Sequence, residues 1–217
     1  MNTRICAAVL TVVVLTAGCT GTPDAAPPSA TTTTTTTAPP TPAELNERAK
    51  AAIAPADAFA ALGGQVKGSA PTTDGEIGAD REIVALLCGT EEMLVDGTSV
   101  ARSRVWTGGV SLFQRVHAMS DRTAAALVGA VRTRLSRCAK SRGAEEATSV
   151  AKPQGVDDFF AHCETNPDAG FVPWSCSALI GRGTLISVVT ASGQSKESAQ
   201  AQLTSVLPIF AQTFAKA

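Results

Sequence analysis

An apolar run that stops at a cysteine and gives way to threonine and proline divides this chain before any folding question arises. Residues 12 to 42 read VVVLTAGCTGTPDAAPPSATTTTTTTAPPTP. Before the cysteine, Arg4 supplies a positive start and Cys6 to Ala17 supply a short apolar core. That core is shorter than the roughly 20 apolar residues a membrane-spanning helix needs, so residues 1–18 read as an export signal. After it, residues 19–41 carry almost no large apolar side chain. Such a stretch cannot bury enough surface to offset the entropy of ordering, and its prolines stiffen it, so it reads as a disordered tether. Only residues 42–217, about 175 of them, remain to build a core, and that is the size of one ordinary domain.

The small residues Ala17 and Gly18 ahead of Cys19 are similar to a bacterial lipobox. That likeness implies cleavage before Cys19, a lipid on its sulfur, and attachment to the outer face of the cell membrane. Thr16 stands where the motif has leucine, and Leu15 lies one position early. The alternative, an ordinary cleaved signal, leaves a lone thiol in an oxidising compartment. The tandem threonines and prolines also resemble O-glycosylated stalks. The formal net charge of −1 gives no argument for a nucleic-acid partner.

Four cysteines fall in the domain: Cys88, Cys138, Cys163 and Cys176. An even count in an exported chain reads as two disulfides, with three pairings open. A metal site would want close C-x-x-C pairs, and the sequence has none. No cofactor is expected.

Local patterning gives an α+β domain: an antiparallel sheet with helices packed mainly on one face. Residues 42–53 read as a helix, with Pro42 in its first turn and Glu44 favouring its N-terminal end. PADAFAAL reads as a second, short helix ending at Gly63-Gly64. Residues 98–118 read as a hairpin turning at Thr107-Gly108-Gly109. Val100, Arg102, Arg104 and Trp106 share one face of its first strand. Val110, Leu112 and Val116 share a face of the second, with Gln114 as a polar exception. Residues 121–140 are a helix with Ala124, Leu127, Val131, Leu135 and Cys138 on its core side, capped by Ser120 or Asp121. GTLISVVTAS, 183–192, is a strand apolar enough to be central. A last helix follows, capped by Ser195, with Ala199, Leu203, Val206, Phe210 and Phe214 as its stripe and Pro208 expected to kink it.

The sequence offers little chemistry. Ser149-Val150-Ala151-Lys152 fits S-x-x-K, but Pro153 follows at once and the companion motifs are missing, which marks a chance match. His117 and His162 have no nucleophile placed beside them, and a surface or half-buried structural role is expected of each. Asp157-Asp158 and Glu145-Glu146 are adjacent pairs, which point to opposite faces in a strand and meet water in a loop. Arg102, Arg104, Trp106 and Arg115 form the most interesting group. Cations beside an aromatic could hold a phosphate, a carboxylate or a sugar, and the plainer reading is a solvated sheet face.

Taken in order, the early A-x-x-A-F-A-A-L-G-G segment, Cys88, a strand ending in VW, RCAK with Cys138, and PWSCSALIGRGTLISVVTASG before a terminal helix resemble one family. It is the extracellular sensor domain of the mycobacterial serine/threonine kinase PknH and the lipoproteins that share it. Trp174, Cys176, Ala178 and Leu179 carry the most specific part, and the resemblance covers roughly residues 52–215. It implies non-catalytic binding of an envelope ligand or protein partner in a cleft between sheet and helices. Kinase sequence is absent, so signalling would pass through a partner. The family's cysteine after the central strand is missing near Thr190-Ala191-Ser192, and Cys163 stands in for it. First-with-second pairing would then give Cys88–Cys138 and Cys163–Cys176. Two other readings stay open. A cell-wall hydrolase or transferase would need a carboxylate pair or a Ser–His contact in a cleft. A purely structural interaction module would show a flat apolar patch instead.

Overall fold

The structure is a computed structural model. It describes residues 38–62, 66–74, 81–88, 91–165 and 174–217. The export signal, Cys19 and most of the tether lie outside the described residues, and so do Gly63-Gly64 and the side chain of Cys138. The order is α1 (Pro42–Ala52), a 3-10 turn (Ala60–Leu62), β1 (Lys67–Gly68), β2 (Thr72–Asp74), β3 (Arg81–Leu87), β4 (Glu91–Asp96), β5 (Ser99–Thr107) and β6 (Leu112–Met119). Then come α2 (Ala124–Arg142), β7 (Glu145–Glu146), β8 (Asp158–Thr165), β9 (Trp174–Arg182), β10 (Leu185–Gly193) and α3 (Lys196–Phe214). The domain is α+β, as expected.

Helix starts follow local chemistry. Thr41 caps α1 in a full capping box: its hydroxyl accepts from the Glu44 N–H, and its own N–H donates to the Glu44 carboxylate at 2.7 Å. Those bonds hold the exposed Glu44 carboxyl below its usual pKa. Ser195 caps α3 in the same way with Ser198. The cap of α2 is Thr123, further on than the Ser120 or Asp121 expected, and its hydroxyl accepts from Ala126. The segment after Pro55 is shorter in helix than expected, with turns leading into the three-residue 3-10 stretch. Helix α3 runs on through Pro208.

The main sheet is antiparallel, in the order β1-β5-β6-β10-β9-β8-β7, with β2 also pairing to β5. The strand read as central, β10, lies between β6 and β9. A separate two-stranded sheet, β3-β4, went unread in the sequence. Two helices, α1 and α3, pack on one face: α3 on β9 and β10, α1 on β5 and β6. The third, α2, packs on the other face over β8 and β9, with β3 nearby. Strands β9 and β10 are apolar on both sides, so both faces must be covered. Ala178, Ile180, Val189 and Ala191 meet α3, while Leu179, Ile186 and Val188 meet the α2 side. At Gly181 a Cβ would stand 2.5 Å from the Ala124 Cβ, so glycine lets the first turn of α2 sit directly on β9. The Ala124 N–H donates to the Gly183 carbonyl at 2.8 Å there.

The larger core centres on an aromatic trio. Phe59, Trp106 and Phe210 are fully buried with ring centroids 4.8 to 5.3 Å apart. The whole expected stripe of α3 is buried, together with Leu207 and Ala211. Each large apolar side chain so buried contributes about 1.5–3 kcal/mol. Gln114, the polar exception of β6, is completely buried and fully used. Its amide oxygen accepts from the Ala54 N–H at 2.8 Å, and its NH2 donates to the Ala52 carbonyl and the Ser187 hydroxyl, each at 3.1 Å. It ties the end of α1 to the sheet.

Cys163 and Cys176 sit directly opposite each other on β8 and β9 and are disulfide-bonded. This is the one disulfide of which both halves are described. Cys88 is buried and disulfide-bonded as well, and the side chain of its expected partner Cys138 falls outside the described residues.

Candidate functional site

The arginine and tryptophan group does not assemble into one site. Strand register decides this. Arg104 pairs with Gln114 and Arg102 with Val116, which puts both on the face that meets α1. Arg115 pairs with Ser103 and therefore lies on the opposite face, where it stacks over Phe113. Trp106 has no exposed surface, because Phe59 and Phe210 cover it. Arg102 donates from Nε to the Asn46 side chain at 2.7 Å, and Arg104 donates to the Ala54 carbonyl. Both arginines thus fasten α1 and the residues after it to β5. Burial pushes the pKa of Arg104 below its usual value, with Asp57 acting the other way.

Both histidines are buried, where exposure or half-burial was expected, because the second sheet face is covered. His117 has no exposed surface. His162 is 1% exposed and stacks on Phe160, with centroids 5.8 Å apart. Burial lowers the His162 pKa to about 4, so it is neutral at physiological pH. The acidic pairs serve surface contacts: Glu145 pairs with Lys196, and Glu146 lies 3.9 Å from Arg132. Residues 148–153 form turn and loop rather than helix. Ser149 accepts from the Gln200 amide, and Lys152 Nζ donates to the Asp157 carbonyl at 2.5 Å. The S-x-x-K reading fails on that geometry.

A concave site lies elsewhere. The segment from Ser149 to Gly155 runs alongside α3: Ser149 meets Gln200, and Gly155 lies against Ala215. Gly155 has φ 79°, and a Cβ there would stand 2.8 Å from the Ala215 Cβ, so glycine permits this approach. Buried Val150 and Val156 anchor the loop, and the residues between are largely exposed.

Between loop and helix is a groove of about 730 Å³. That is within the roughly 300–1,000 Å³ usual for small-molecule sites. Its apolar lining comes from Val150, Pro153, Leu207, Pro208 and Ala211, with Gln154, Thr204 and Gln212 adding polar groups. Lys152 and Lys216 are the ionisable residues among the described lining, and both are cations. Pro208 has no N–H to give the Thr204 carbonyl, its partner one turn back, so a backbone acceptor on this wall loses its helical donor. The sequence reading missed this groove. Pro208 and Lys152 were each noticed, as a kink and as part of a chance motif, but nothing local links a loop at 150 to a helix face at 208.

No protein-family model matches the chain, and no curated protein matches it in sequence. Among solved structures it is similar to the extracellular domain of PknH from Mycobacterium tuberculosis. The TM-score is 0.49 at 12% identity, over 83% of this chain and 99% of that one.

Proposed function

We propose that this is a non-catalytic ligand-binding domain of the cell envelope, tethered to the membrane by a lipid on Cys19, with the groove between residues 149–155 and α3 as its binding site. The observation that carries the binding assignment is the groove: concave, apolar-walled, of small-molecule size, with polar groups on both sides. The address rests on the lipobox-like residues before Cys19 and the Thr/Pro tether after it. Among the described residues no helix is long and apolar enough to cross a membrane.

Mass spectrometry of protein extracted from its own membranes tests both halves. Under denaturing conditions the expected species is an acylated chain beginning at Cys19. An unacylated chain would remove the anchor. Under native conditions a bound small molecule is expected, and it should be absent from a variant with the groove filled by Ala151→Trp and Thr204→Trp, both at exposed positions. Equal native masses for the two proteins would remove the groove as the site.

A further inference from the structure

We infer that the groove takes a single-chain amphiphile with an acidic headgroup. This rests on the groove being the binding site. Shape gives the first argument. The lining residues of α3 from Thr204 to Gln212 form one stripe about 12 Å long, and the loop follows it in parallel. A trough with an apolar floor of Val150, Leu207 and Ala211 suits an extended hydrocarbon chain laid along the helix.

Charge gives the second argument. The two ionisable lining residues are Lys152 and Lys216, both exposed. Arg182, outside the lining, donates to the carbonyl of Ala215, the lining residue next to Lys216. An acid headgroup there gains charge-assisted hydrogen bonds, while a cationic one meets repulsion.

The test uses the full chain with 13C-labelled methyl groups, titrated separately with decanoate and decanol. Decanoate should shift the Val150, Leu207 and Ala211 methyl signals saturably, and should bind about tenfold more tightly than decanol. In Lys152→Gln/Lys216→Gln, decanoate should weaken roughly tenfold and decanol should not change, as expected for two partly screened charge pairs. Lys216→Gln alone, which leaves the Lys152–Asp157 contact intact, should give part of that loss. Equal affinity for the two probes, or no effect of the lysine substitutions, would overturn the acidic-headgroup inference and leave the groove as a site. Failure of both probes to move the groove methyls would overturn the inference together with the groove reading on which it rests.

Discussion

Replacing His162 with phenylalanine should flatten the acid limb of the stability curve. The imidazole is buried between Phe160, on which it stacks, and the neighbouring strands β7 and β9. Neither ring nitrogen has a hydrogen-bond partner among the described residues. Burial holds its pKa at about 4 against an ordinary 6.5. The folded protein therefore resists a proton that the unfolded chain accepts. Stability from this group is complete above about pH 6.5, falls as pH drops through the window from 6.5 to 4, and levels off below that. The slope within the window is about 1.4 kcal/mol per pH unit, so the full effect is about 3 kcal/mol. Between pH 7 and pH 5 it is about 2 kcal/mol. With a urea m-value of about 2 kcal/mol/M, the midpoint moves by about 1 M.

The assay is urea unfolding of the native protein and His162→Phe at pH 7, 6, 5 and 4.5. Phenylalanine keeps the stack on Phe160 and removes the titration. Carboxylates contribute to both curves, so the difference isolates the histidine. Glu146 lies directly opposite His162 in the β7–β8 register, and Glu164 is two residues on along the same face. If either paired with an imidazolium, the histidine pKa would be raised and the difference would change sign. Parallel pH curves for the two proteins, or that reversed sign, would refute the account of a dry, neutral histidine.

Two further expectations concern stability. Gln114→Ala strips partners from the buried Ala54 N–H and Ala52 carbonyl and leaves a void, so it should cost about 3 kcal/mol or more, read as a fall in urea midpoint with no change in slope. Cys163→Ser/Cys176→Ser opens a loop of sequence separation 13 and should cost about 3 kcal/mol by the chain-entropy argument, measured in the same way.

Much of the local structure was legible because its causes are short-range. The α3 stripe and its Ser195 cap, the start of α1, and the central position of β10 each follow from residues within a few positions of one another. The misplaced cap of α2 shows the limit of that method: Ser120, Asp121 and Thr123 are all competent caps. The docking of Ala124 against Gly181 and its bond to Gly183 fix where the helix begins. The candidate arginine site failed for a similar reason. Alternation correctly put Arg102, Arg104 and Trp106 on one face, but only the pairing of β5 with β6 reveals that Arg115 faces the other way.

Sequence alone, then, determined the identity of the main helices and which strand is central, because capping and periodicity act locally. Tertiary structure decided which sheet faces are covered, why Gln114 is buried, and where a cavity opens. Those depend on register and on contacts between residues such as Gly155 and Ala215, or Gln114 and Ala54, that lie some sixty positions apart. Chain connectivity does not encode such distances. Packing both apolar faces of one sheet does, and it leaves the groove where the 149–155 loop runs beside a helix that continues through Pro208.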